Sequence, residues 1–283
     1  MNAPLTGLHP SLDITFVADV ATLHGRVFLP LGTPKAAIVL HGATAVPARY
    51  YHAFAAWLST QGYACLTYDY RGFGSSAIGH VRASDASLVT WGIADQPAAQ
   101  AEMECRFPGV PLWVIGHSIG GLMVPFHPGA ARIKRLITVA SGPVHTSDHP
   151  GLWQLYARIF WWGPPAWAAA AMGYLPGRAM RLGDNVPRDV YWQWRRWCTT
   201  PGFYLTDVGR LLPVPDWHAF QGDLRVVAVE DDGMVPPPAA WRLMQHYPEA
   251  WKRQTVLRPA HGPIGHITAF AERNRALWPQ ILG

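Results

Sequence analysis

Cysteine is scarce: Cys65, Cys105 and Cys198 are the only three in 283 residues. An odd number with no metal-ligand spacing excludes a disulfide framework, and three reduced thiols fit a cytoplasmic protein. Charge is also sparse, at 14% Asp, Glu, Lys and Arg against 49% hydrophobic residues, which excludes a disordered chain. The net charge is +5, but arginine and lysine are scattered and no basic run alternates with aromatics, so no nucleic-acid partner is expected. The histidines, His127, His145 and His149 included, show no acid–histidine spacing for a metal. The turn at Gly72 and Gly74 lacks both the G-x-G-x-x-G register and the lysine of a phosphate loop, so no cofactor is expected; Arg71 beside it reads as a brace for nearby acids. The opening MNAPLTGLHPSLDITF has neither the basic n-region nor the apolar h-region of a signal peptide. Residues 159–177 carry no charge, but Gly163-Pro164-Pro165 interrupts them and each half is too short to span a bilayer. They read as buried or interfacial helices, without stable membrane insertion.

Against these absences stands one stretch, Pro111 to Gly121, PLWVIGHSIGG. Five apolar residues in a row suit a strand buried on both faces of a parallel sheet. Glycines two residues to either side of Ser118 suit a strand-to-helix turn too sharp for neighbouring Cβ atoms. Such a turn strains the serine backbone and lifts its hydroxyl to the carboxyl edge of the sheet. The pattern is moderately specific alone, and its surroundings decide its value.

Asp13–Ala18 and Thr22–Leu29 alternate as an antiparallel pair. Ala36–Leu40 is an apolar strand ending in His41-Gly42-Ala43-Thr44, followed by a helix over 47–61 that Gly62 closes. Ala64–Tyr68, a helix around Trp91–Phe107, and strands at Arg135–Ala140, Arg225–Val229 and Arg253–Leu257 continue the alternation. Helices are expected over Pro237–Tyr247 and His266–Leu282, and another following Ser118. Between 145 and 221 no strand period is visible, and eight of the 14 tryptophans gather there. Strands alternating with helices give an α/β fold, a mostly parallel central sheet covered on both faces. The helical, Trp-rich segment 145–221 is an insertion between core segments 1–144 and 222–283.

A serine hydroxyl is a poor nucleophile near neutral pH, so Ser118 needs a base in hydrogen-bond reach, an acid orienting that base, and donors for an oxyanion. The acid loop EDDGMVPP offers Asp232, in Asp-x-x-Val-Pro, and its neighbour Asp231. The last loop offers His266, after Gly265, and His261. The oxyanion donors expected are the Ile119 amide, at a helix start, and the Ala43 amide, with Thr44 next. His117 reads as a packing or loop-orienting residue, because adjacent positions on a tight turn point apart.

HGAT, DYRGFGSS, GHSIGG, EDDGMVPP and GPIGHITAF occur in the order found in the α/β-hydrolase superfamily, which the chain resembles over most of its length outside the insertion. YWQWRRWC and the late IGH resemble a bacterial group of serine aminopeptidase-like or lysophospholipase-like hydrolases. The resemblance implies an α/β-hydrolase fold with a helical cap at 145–221 and a triad of Ser118, Asp232 and His266. The implied reaction is hydrolysis of a small-molecule carboxylic ester through an acyl-enzyme. Trp153, Trp161 and Trp162 would offer an aromatic surface for an apolar acyl or aryl group. Alternatives are an acyltransferase with the same triad and a non-catalytic binding protein of the same fold.

Overall fold

The computed structural model describes residues 10–260 and 262–283. Ten strands follow in chain order: β1 (Ser11–Ala18), β2 (Ala21–Phe28), β3 (Ala37–His41), β4 (Ala64–Tyr68), β5 (Leu112–His117), β6 (Ile133–Val139), β7 (Tyr174–Leu175), β8 (Val186–Pro187), β9 (Asp223–Val229) and β10 (Trp251–Leu257). Eight of them form one sheet in the order β1-β2-β4-β3-β5-β6-β9-β10. β1, β2 and β4 pair antiparallel, and from β4 to β10 every pairing is parallel.

The apolar runs explain the parallel part. Ile38, Leu40, Cys65, Ile115, Ile137 and Val227 point to one face, beside the helix His52–Thr60 and the C-terminal segment. Val39, Leu66, Val114, Leu136 and Val226 point to the other, beside the helix Gln96–Arg106 and much of the insertion. Each strand feeds two cores, so neither face tolerates polar residues, and continuous apolar sequence is the result. The chain runs from β3 outward to β4 and returns to β5 on the other side. The loops after β3 and β5 therefore diverge from a switch point at the carboxyl edge, where open α/β sheets bind ligands.

Three expectations need correction. The segment after Ser118 is not a long helix: it forms 3-10 turns at Ser118–Gly121 and Val124–Phe126. Pro125 and Pro128 lack the amides that helical propagation needs. The C-terminal helix spans only Trp278–Leu282, not 266–282. Asn274 sits at φ −101°, ψ 16°, and its side-chain amide donates to the Thr268 carbonyl at 2.7 Å, so a local side-chain bond replaces a helical one. Likewise, Pro237–Arg242 is helical but Leu243–His246 tightens into a 3-10 turn.

Residues 145–221 are mainly helical, with helices Leu152–Trp162, Pro164–Met172 and Arg188–Thr199. Pro164 opens the second helix at its first turn, and Gly173 ends it in the left-handed region. The short antiparallel pair β7–β8, two residues each, escaped sequence reading because so short a run shows no period. Among the described residues, no helix is long and apolar enough to cross a membrane.

Candidate active site

β5 delivers Ser118 at φ +54°, a left-handed conformation that costs a non-glycine residue about 1–2 kcal/mol. The two flanking glycines are required by contact. A Cβ on Gly116 would lie 2.3 Å from Gly121 Cα, and one on Gly120 would lie 2.1 Å from the His41 carbonyl oxygen. The turn is thus wedged between the strand it leaves and the loop after β3.

The structure brings Ser118, His266 and Asp232 together. Nε2 of His266 lies 3.0 Å from Ser118 Oγ, and Nδ1 lies 2.8 Å from Asp232 Oδ2. The other carboxylate oxygen of Asp232 accepts from the amides of Met234 and Val235, at 2.8 and 2.9 Å. A buried carboxylate so held stays fixed and acceptor-only, which sets the tautomer of His266: Nδ1–H donates to Asp232 and Nε2 faces the serine hydroxyl. Asp231 sits apart from the imidazole. Its two oxygens accept from the amides of Ile264 and Gly265, both at 2.9 Å, and tie down the loop that carries His266. His261 lies outside the described residues.

A second set of contacts, which sequence reading missed, centres on Tyr51. The Ala43 amide donates to Tyr51 Oη at 2.9 Å, Tyr51 Oη lies 2.7 Å from His117 Nδ1, and His117 Nε2 lies 2.9 Å from the His266 carbonyl oxygen. A carbonyl only accepts, so Nε2 of His117 carries the proton, Nδ1 accepts, and Tyr51 donates. Burial holds His117 neutral, with its pKa pushed down to about 3. On the other side of the same peptide, Tyr70 Oη donates to the Gly42 carbonyl at 3.1 Å. Both polar ends of the Gly42–Ala43 peptide are therefore held by tyrosine hydroxyls. This corrects the assignment of the Ala43 amide as an oxyanion donor, because it is already engaged. Thr44, the next residue, makes no backbone-amide hydrogen bond among the described residues. Ile119 is the second residue of the 3-10 turn Ser118–Gly121, where the first amides have no intrahelical acceptor.

Beneath this loop lies a buried relay of neutral groups. His41 contacts Tyr68 Oη at 2.7 Å and the Gln100 amide at 3.1 Å, and Gln100 reaches His127 at 2.9 Å. Burial pushes the His127 pKa down to about 3. Asp69 fixes the loop's far end by accepting from the Ala48 amide at 2.7 Å and the Ser75 amide at 2.8 Å. Arg71 braces Asp95, Nε to Oδ1 at 2.7 Å.

The three tryptophans separate. Trp153 lies against the acid loop: a Cβ on Gly233 would come within 2.2 Å of its ring. It lines a cavity of about 450 Å³ with Asp232, Gly233, Pro236 and Arg242. Trp162 is half-exposed, with the Arg195 guanidinium 5.5 Å from its ring centre. Trp161 is corrected to a core residue, 4% exposed and packed against Phe160, Tyr191 and Trp194. Arg196, on the helix Arg188–Thr199, pairs with buried Asp207 at 2.7 Å.

Among solved structures, a hypothetical protein from Pseudomonas aeruginosa is similar with a TM-score of 0.64 at 16% identity, over 99% of this chain and 94% of that one. A soluble variant of monoglyceride lipase from Saccharomyces cerevisiae is similar at 0.60 and 16% identity, over 99% and 98%. An esterase from Pyrococcus furiosus is similar at 0.59 and 14%, over 97% and 89%. Identities this low establish the α/β-hydrolase fold. No curated protein matches the sequence. Residues 32–177, more than half of the chain, match the family described as serine aminopeptidase, S33, and the chain belongs to that family of α/β-hydrolase-fold hydrolases.

Proposed function

We propose that the chain hydrolyses a small-molecule carboxylic ester by an acyl-enzyme route, with Ser118 as nucleophile, His266 as general base and acid, and Asp232 as its orienting acid. The observation that carries this reading is the run of contacts from Ser118 Oγ through both imidazole nitrogens of His266 to Asp232, at 3.0 and 2.8 Å. Ser118 Oγ attacks the ester carbonyl as its proton passes to Nε2 of His266, and Asp232 stabilises the imidazolium. The carbonyl oxygen becomes an oxyanion beside the Ile119 amide, with the Thr44 amide as the second donor. Collapse expels the alcohol, which takes the proton from Nε2. Water then repeats the sequence on the acyl-serine and releases the acid.

The segment 145–221 is proposed as the cap. Trp153 lies against Gly233 of the acid loop and His149 Nδ1 is 3.0 Å from the Gly233 carbonyl, which supports a cap seated over that loop.

Labelling with a fluorophosphonate tests the nucleophile. The wild type should be labelled on Ser118, and Ser118→Ala should be unlabelled while folding normally. Equal labelling of the variant would remove Ser118 from the mechanism. Turnover of short p-nitrophenyl esters tests the reaction, and product made faster with an added alcohol than with water would mark a transferase instead.

A further inference from the structure

A surface helix ordinarily buries its apolar stripe and shows water a polar one. The helix Leu152–Trp162 does the first but not the second. Phe160 and Trp161 pack inward against Tyr191 and Trp194. On the outer side Leu152 is 71% exposed, Leu155 54%, Tyr156 58%, Ile159 46% and Trp162 47%. Their spacing of three and four residues makes one continuous stripe. The following helix, packed against this one, adds Trp167 at 67% exposure. Six such side chains, each presenting on the order of 100 Å², match or exceed the largest apolar patch of a typical monomer, about 300–600 Å².

The charge within the segment that carries this patch has one sign. From His149 to Gly183 there is no aspartate or glutamate, and the charged residues are Arg158, Arg178 and Arg181. Arg158 and Arg181 are exposed and pair with no carboxylate among the described residues, whereas Arg178 is paired with Asp184. Tryptophan and tyrosine beside unpaired arginine suit a lipid boundary, where aromatic rings sit at headgroup depth and guanidinium groups meet lipid phosphates. A second copy of the chain fits this face poorly. A two-fold contact sets the same patch against itself, so the arginines would meet arginines with no carboxylate of the segment to answer them.

We propose that the outer stripe of Leu152–Trp162, together with Trp167, docks reversibly on an anionic lipid surface. The helix lies in the interface plane, with its apolar side chains among the headgroups and first methylenes, and Arg158 adds electrostatic attraction. Docking does not depend on the ester-hydrolase reading. Where both hold, Trp153, on the same helix and against Gly233, places the acid loop and its cavity close to the lipid boundary.

Sedimentation of the full-length protein with phosphatidylcholine vesicles, with and without phosphatidylglycerol, tests the proposal. Binding should require the anionic lipid and weaken with added salt. The double variant Leu155→Glu/Ile159→Glu should bind at least tenfold more weakly, and Arg158→Gln about fivefold. Both should keep the wild-type melting temperature and the wild-type rate on a soluble ester. Quenching of wild-type tryptophan emission by brominated acyl chains gives a reading that needs no substitution. No binding by the wild type, no quenching, or equal binding by the folded double variant would overturn the proposal. So would a wild-type dimer that the double variant dissolves without vesicles present, which would give the face to a second copy.

Discussion

The Tyr51 hydroxyl lies 2.7 Å from Nδ1 of His117 and joins the segment after β3 to the end of β5. Through it the loop after β3 reaches, by way of His117, the backbone of His266. Tyr51→Phe keeps the ring packing but leaves the buried Ala43 amide and His117 Nδ1 without partners. At about 1–3 kcal/mol for each unpaired buried group, stability should fall by about 2–6 kcal/mol in urea unfolding. If the contact also holds His266 in place, kcat should drop roughly tenfold or more with KM little changed. A matching loss in KM alone would leave Tyr51 a purely structural residue.

The two neighbouring aspartates should separate in kinetics. Asp232→Asn replaces the acceptor facing Nδ1 of His266 by a group that favours the wrong tautomer, and kcat should fall on the order of 10³–10⁴-fold. Asp231→Asn keeps one acceptor for the Ile264 and Gly265 amides, and should cost less than about tenfold in kcat, with a lowered melting temperature. The reverse ranking would move the orienting role to Asp231.

The elbow glycines are a test of close packing. Gly120→Ala drives a methyl into the His41 carbonyl, backbone against backbone, so no side chain can yield. A loss on the order of 3–5 kcal/mol, or failure to fold, is expected. Gly79→Ala is the control: its φ is +69° but no atom lies within 4 Å of the added Cβ, so only the left-handed backbone preference is lost, at about 1 kcal/mol. Comparable losses in the two would mean that the turn relaxes around the added methyl.

Much of this was legible in the residues themselves. The parallel strands announced themselves because each feeds two cores, and the order of Ser118, Asp232 and His266 along the chain matches the order of the loops at one sheet edge. What escaped were contacts whose partners are distant in sequence and carry no pattern. Tyr51 is one aromatic in a helical run, and nothing local says that its hydroxyl takes the Ala43 amide. The helix expected after Ser118 has a different explanation: the apolar run Ile119–Val124 looks helical when only hydrophobicity is weighed, but Pro125 follows it at once and Pro128 soon after. The longer C-terminal helix expected from 266 is interrupted by side-chain bonds of Thr268 and Asn274 to the backbone.

Acid should unfold this protein through its buried histidines. Burial holds His117 and His127 at about 3 and His41 well below its ordinary value, so all three are neutral in the folded state at pH 7. In the unfolded chain they bind protons near pH 6.5. Below that value the unfolded state therefore holds more protons than the folded one, and stability falls as pH falls, from about 6.5 down toward 3. Three such groups give a slope approaching about 4 kcal/mol per pH unit. Against a total of about 5–15 kcal/mol, the fold should be lost within roughly two to four pH units below 6.5. His127→Gln can keep both partners, accepting from Gln100 and donating to the Gly92 carbonyl, while removing the titration. Its urea-unfolding free energy should fall less steeply between pH 6 and pH 4.5, by about one proton's worth of slope. An unchanged slope would show that His127 takes up its proton without unfolding.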